Sequence, residues 1–254
     1  MHSRRARPLA CLTALCLCLP LIPGCDDYPR DPEGTLGRVT GGTLRVGVSE
    51  ARPWVWRQDG EATGVEADLV RELAAELGAE VEWNWGGQEE HLAALERFEL
   101  DLVIGGVTQA TPWSKRIGPT RPFADYKVIV AFPRDERQPL RLDGLEIAVP
   151  AGSDVAADLR SRGAIPAPVD DFWENGPPPG EPVAIGEWAL DPLGMTRGPE
   201  LARRRHVLAV PPGENGWLVR IERFLEAQKP TIDRRLAESL PTRRPSTMPQ
   251  EGSP

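Results

Sequence analysis

Few residues of this chain carry recognisable chemistry, and their positions narrow what it can be. All four cysteines, Cys11, Cys16, Cys18 and Cys25, lie in the first 25 residues. The body behind them has none, so it is stabilised by a core and not by disulfides. Cys25 would be a lone thiol in an oxidising compartment unless it is modified. The only histidines of the body are His91, on a predicted helix, and His206, ahead of a predicted strand. Glu187, closing the predicted strand "VAIGE", is the one candidate for acid–base work. There is no nucleophile motif, metal-ligand cluster or phosphate loop, so neither catalysis nor a metal or other cofactor is expected. Gly152 and Ser153 open a predicted helix, and Thr111 precedes Pro112 as an N-cap would.

The segment ahead of Cys25 explains the thiol. Arg4, Arg5 and Arg7 form a positive head, followed by an apolar run from about Pro8 to Ile22. That run is shorter than the roughly 20 apolar residues a membrane-spanning helix needs. A positive head and a short apolar core are the pattern of a secretory signal. The end, "LIPGC", resembles the lipobox of bacterial lipoproteins, with branched Ile22, small Gly24 and then Cys25. The resemblance implies cleavage after residue 24 and lipidation of Cys25. Asp26 directly after it resembles an inner-membrane retention signal. Residues 25–42, rich in Gly, Pro and polar groups, read as a flexible tether.

The elements that would position the remaining residues alternate in type. "TLRVGVS" reads as a strand, with Leu44, Val46 and Val48 on one face. In "VEADLVRELAAELGAE", Leu69, Leu73, Ala74 and Leu77 fall at helical spacing and Gly78 supplies the stop. "VEWNW" reads as a strand, "EEHLAALERF" as a helix and "LDLVIGG" as a strand covered on both faces. Strand, helix, strand, helix, strand predicts an α/β domain with mostly parallel sheets flanked by helices. "YKVIVAF", "LEIAVP", "PVAIGE" and "HVLAVPP" continue the strands. The long amphipathic region 216–240 is expected to break near Pro230. The tail 241–254 reads as disordered.

Composition is consistent with such a domain. The formal charge is −8 with 40% hydrophobic residues, and it grows more negative without the three arginines of the signal. An acidic surface argues against nucleic acid as a partner. The body is expected to be monomeric.

Four segments taken in order resemble the bacterial extracellular solute-binding proteins, family 3. They are "LRVGVSEARPWVWRQDGEATGVEADLVRELAAELG", "HLAALERFELDLVIGGVTQATP", "RPFADYKVIVAF" and "LDGLEIAVPAGSDVAADL". The resemblance implies a periplasmic type II binding fold. Lobe one would comprise residues 43–130 plus 208–240, and lobe two residues 131–207. Crossing strands would lie at "YKVIVAF" and "HVLAVPP". It further implies a small polar solute, an amino acid or related compound, bound in the cleft between the lobes and passed to an ABC permease in the membrane.

The ligand-binding positions implied by that resemblance are Trp54, Gly106, Thr108, Trp113, Gly152, Ser153 and Glu187. Trp54 would meet the ligand side chain. Gly106 and Thr108 would hold its polar atoms, Gly152 and Ser153 its carboxylate, and Glu187 its ammonium. One position departs from the pattern. Family members that bind amino acids read Thr-Pro-Glu-Arg at the turn, and the Arg grips the α-carboxylate. Here Thr111-Pro112-Trp113-Ser114 puts Ser114 in place of the Arg; Lys115 and Arg116 follow at once but are turned about 100 to 200 degrees round the helix, and Arg121 at the strand entry is a substitute charge. Two alternatives therefore stand beside the transport receptor: a non-transport ligand sensor or accessory lipoprotein, and an enzyme resembling the cyclohexadienyl dehydratases.

Overall fold

The computed structural model describes residues 30–134, 139 and 141–241. The signal segment, Cys25 and the tail beyond residue 241 lie outside them. The described chain begins with a short helix, α1 (Thr35–Val39), and a strand, β1 (Thr43–Val48). A hairpin follows, β2 (Trp56–Gln58) with β3 (Glu61–Thr63), then α2 (Val65–Leu77), β4 (Glu80–Trp85), α3 (Gln88–Glu96), β5 (Leu102–Ile104) and β6 (Gly118–Pro119). The spacing that predicts α2 is the spacing that buries it: Leu69, Leu73, Ala74 and Leu77 all face the core. Gly78 ends it in the left-handed region at φ 63°, where a side chain would strain the backbone.

β1 lies between β4 and β5 and runs parallel to both. α2 and α3 carry the chain back between them, as parallel pairing requires. Leu44, Val46, Val48, Leu102, Val103 and Ile104 are fully buried, so the centre of the sheet is covered on both faces.

The second sheet is built from β7 (Ala124–Pro133), β8 (Glu146–Pro150), α4 (Val155–Ser161), β9 (Ile165–Val169), α5 (Phe172–Asn175), β10 (Val183–Gly186), α6 (Leu190–Leu193) and β11 (Met195–His206). Its strand order is β11-β7-β10-β8-β9. The chain then returns through β12 (Ala209–Val210), which completes the first sheet in the order β4-β1-β5-β12-β6, and ends in α7 (Asn215–Glu238). The result is the expected α/β fold, with mixed sheets in two lobes. Both long connections, β7 and β11, pair with each other in the second sheet. The change of sheet thus falls ahead of Ala124 on the outward crossing, earlier than residue 130, and just after His206 on the return.

Three local expectations change. First, part of the expected flexible tether is helix α1, bolted to the first lobe. Buried Glu214 accepts the N–H groups of Glu33 and Thr35 at 2.9 and 2.8 Å. Asp31 reciprocates by accepting the Trp217 N–H at 2.9 Å and the Leu36 N–H at 3.0 Å. Each carboxylate satisfies donors left open at a helix start, which local composition cannot reveal. Second, α7 runs through Pro230 without ending, because Phe224, Leu225, Ile232 and Leu236 hold both of its halves against the core. Third, β11 begins well before "HVLAVPP". Its run of arginines hides an edge strand paired along β7, with Arg203 clamped on Asp125 at 2.6 Å.

A buried carboxylate ties these pieces together. Asp101, with a fully buried side chain, pairs with Arg38 at 2.5 Å and Arg45 at 2.7 Å, while its carbonyl accepts the Trp217 indole N–H at 2.8 Å. Among the described residues, no helix is long and apolar enough to cross a membrane, and no group of side chains could hold a metal ion.

Candidate functional site

In parallel sheets, loops leave the carboxyl ends of the strands together and enclose a crevice there. Here both sheets contribute to one crevice. The loop after β1 supplies residues 50–54, and the loop after β5 supplies Gly106 and Thr108. Facing them, the loop after β8 supplies Gly152, Ser153 and Asp154, and the segment after β9 supplies Asp170, Trp173 and Glu174. Tyr126 from β7 and Arg204 and His206 from β11 form the floor. The cavity they enclose is about 640 Å³, within the range of small-molecule sites. At one end Arg52 reaches across to Glu174, Nη1 to Oε1 at 2.6 Å.

The floor is an aromatic stack. Trp54 is only 3% exposed and lies on the His206 ring at 3.9 Å, with Phe123 edge-on at 5.8 Å. Tyr126 continues the stack, nearly parallel to His206 at 5.6 Å, and meets Trp188 edge-on at 6.5 Å. The Tyr126 hydroxyl and His206 Nε2 are 3.2 Å apart. Burial, and then the charge of Arg204, press His206 down to about 3, so its ring is neutral. Arg204 is itself held by Asp154 at 2.9 Å and Asp158 at 2.5 Å.

The loop after β5 is held from behind by Glu66, a fully buried carboxyl at the start of α2. Its Oε2 accepts the N–H groups of Gly105 and Gly106 at 2.7 and 3.2 Å. Gly105 sits at φ 119°, and a Cβ there would meet Ser49 O at 2.3 Å, so only glycine permits this approach. Burial raises the Glu66 carboxyl to about 7 against the pull of those two N–H groups, and Oε1 has no partner.

Five of the seven positions singled out in the sequence come together on this cavity: Trp54, Gly106, Thr108, Gly152 and Ser153. Trp54 arrives as a buried wall rather than a free face. Ser153 Oγ accepts the Val155 N–H at 3.1 Å, as a capping hydroxyl does. Two positions do not reach the lining. Trp113 packs on the cluster around Leu92 and Ile117, with the Arg116 guanidinium over its ring at 4.4 Å. Glu187 turns away to Arg197, 2.6 Å from its Oε2, and accepts the Lys127 N–H at 3.1 Å. Burial opposes its ionisation, but Arg197 and Lys127 hold it below the usual carboxylate range. Trp188, its chain neighbour, lines the cavity instead.

Ser114 is exposed; the neighbouring Lys115 does not line the cavity, Arg116 pairs with Glu96 at 2.5 Å, and Arg121 pairs with Glu222 at 2.9 Å. His91 lies on α3, buried against β1, with Ser49 Oγ 3.4 Å from its Nδ1. The sequence reading missed Glu66, Tyr126, Asp170, Trp173, Trp188 and Arg204. The aromatics stood beside segments already read as strands or loops, and position after a strand's carboxyl end could have flagged Asp170 and Trp173. Nothing local distinguishes Glu66 from the other acids of α2.

Known proteins share this fold. The fold matches an ancestral cationic amino acid solute-binding protein with a TM-score of 0.64 at 21% identity, over 80% of this chain and 98% of that one. It also matches the unliganded, open L-cystine solute receptor of Neisseria gonorrhoeae, with a TM-score of 0.56 at 18% identity, over 77% of this chain and 91% of that one. A Campylobacter jejuni protein named "Probable histidine-binding protein" is 26% identical over 82 residues, so the match spans only 32% of each chain. The family model for the bacterial extracellular solute-binding proteins, family 3, matches residues 44–235, and the chain belongs to that family.

Proposed function

We propose that the chain is a lipid-tethered, extracytoplasmic receptor that binds a small polar solute, an amino acid or a related compound, between its lobes and passes it to an ABC importer. One observation carries the reading. Loops from two separate sheets converge on a cavity of small-molecule scale, with Gly106 and Thr108 opposite Gly152 and Ser153. A cleft divided between two bodies allows a ligand to select the closed form. The proteins it resembles are named as binders of amino acids, which supports the solute class. The pattern ending at Cys25 supports export and anchoring on the periplasmic side, with Asp26 favouring the inner membrane.

The absence of an arginine at position 114 favours a second reading, a ligand sensor or accessory lipoprotein working with a different membrane partner. An enzyme of the dehydratase kind is the weaker alternative. Glu187 is bound to Arg197 and His206 is held neutral, which leaves neither poised to move a proton.

Calorimetric titration of the full chain in detergent micelles against amino acids, organic acids and amines tests binding. A solute with a micromolar Kd, about −8 kcal/mol, is the expected result; silence across the panel would sink the receptor reading. Mass spectrometry of the chain from membranes tests the anchor. A diacylglycerol adduct is expected that Cys25→Ser abolishes, and an unmodified Cys25 would refute it. Copurification with a permease in crosslinked membranes separates transport from sensing.

A further inference from the structure

The identity of the solute can be narrowed from the charges on the cavity wall; this step rests on the receptor reading above. Four carboxylates line the cavity, Glu50, Asp154, Asp170 and Glu174, against two guanidiniums, Arg52 and Arg204. Both guanidiniums are already engaged, Arg52 by Glu174 and Arg204 by Asp154 and Asp158. Asp170 has no side-chain partner among the described residues, and Glu50 accepts only the Arg57 backbone N–H, at 3.2 Å. The wall is therefore negative in balance.

Several donors that would hold an anion are engaged as well. Gly105 and Gly106 give their N–H groups to Glu66. The Ser153 N–H goes to the Pro150 carbonyl at 3.2 Å, and its hydroxyl oxygen accepts the Val155 N–H at 3.1 Å. Position 114 is a serine, and Arg116 and Arg121 are paired outside the cavity. His206, 4% exposed on the floor, adds no positive charge and keeps Nδ1 without a partner. A carboxylate entering this cavity would be desolvated against the unpaired acids Glu50 and Asp170 with no free guanidinium or ammonium to receive it, and neutral donors such as the unpartnered Trp188 indole N–H offset only part of that cost. A cation gains from the same wall: Glu50 and Asp170 supply charge, and the rings of Trp173 and Trp188 line the cavity beside them, where cation–π contacts favour ammonium and guanidinium groups.

We infer that the cleft selects an organic cation, an amine or guanidine compound, and recognises it without an α-carboxylate.

Matched probes isolate the carboxylate. Agmatine against arginine, and cadaverine against lysine, differ by that one group and keep the distal cation. Calorimetry on the full chain in detergent micelles at low ionic strength is expected to show each amine binding at least about tenfold more tightly than its amino acid. The double substitution Glu50→Gln, Asp170→Asn, at two exposed positions, should weaken the amine by at least about tenfold while urea unfolding stays unchanged. Equal or tighter binding of arginine or lysine, or binding of glutamate, overturns the inference and leaves the receptor reading intact. Silence from both members of both pairs also overturns it, and the receptor reading is then decided by the wider panel. Undiminished amine binding in the double variant overturns the charge argument itself.

Discussion

Replacing Glu66 by glutamine tests how the binding loop is held, because it removes a proton equilibrium and keeps the acceptor. The Glu66 carboxyl rises from an ordinary 4.5 to about 7 through burial, partly offset by the Gly105 and Gly106 N–H groups. Between those pH values the folded chain holds a proton that the unfolded chain has released. Its contribution is fully present below pH 4.5 and is lost as the pH rises through 7, about 3 kcal/mol in all at about 1.4 kcal/mol per pH unit. His206 has the opposite sign. Burial and Arg204 lower it from 6.5 to about 3, so its contribution is present above 6.5 and is lost as the pH falls through 3. Between pH 4.5 and 6.5 the two proton counts cancel, and these groups give the native chain no slope. In Glu66→Gln only the His206 slope remains, and stability should fall by about 3 kcal/mol from pH 6.5 to 4.5. His91, also lowered by burial, tilts both proteins alike, so the difference between them is the quantity to measure. The carboxylates held low by arginines, Asp101, Asp125 and Glu187, titrate below this window. Urea unfolding at half-unit pH steps, followed by tryptophan fluorescence, reads the slope. A difference smaller than about 0.5 kcal/mol per pH unit would refute a protonated, loop-holding Glu66.

Other substitutions test the rest of the framework. Trp54→Ala removes a ring stacked on His206 and should cost about 3 to 5 kcal/mol in urea unfolding; a cost below about 1 kcal/mol would mean that the stack is not packed as described. Asp101→Asn leaves Arg38 and Arg45 without their shared anion and should destabilise by about 3 kcal/mol, with a near-neutral result counting against the network. Glu214→Ala opens the Glu33 and Thr35 donors at about 1 kcal/mol, and hydrogen exchange should then rise in residues 33–39 before the rest of the lobe. Glu187→Ala should change affinity for whatever solute is found by less than about twofold, since its carboxylate serves Arg197; a loss beyond about tenfold would return it to the site.

Much of the fold is legible in local pattern. β1, α2 and β5 announce themselves by apolar spacing, since a strand or helix must bury the face its period defines. Gly78 marks the end of α2 because the left-handed turn there excludes other residues. The same logic fails where partners far along the chain override composition. Residues 35–39 look like linker, but the carboxylate of Glu214 makes them a helix. The arginines of β11 look like loop, but β7 and Asp125 make them a strand. Pro230 looks like a stop, but core contacts on both sides carry α7 past it.

For the site, the resemblance to the solute-binding family implied that Trp54, Gly106, Thr108, Gly152 and Ser153 would meet, and strands in a parallel sheet do deliver their carboxyl ends to one edge. What those loops present depends on the fold. Whether an N–H, a guanidinium or a carboxylate is available depends on its partner, and those partners are remote: Glu66 for Gly105, Asp154 and Asp158 for Arg204, Arg197 for Glu187. Charge left over after pairing is a property of the folded arrangement, and it is what turns this cleft toward a cation.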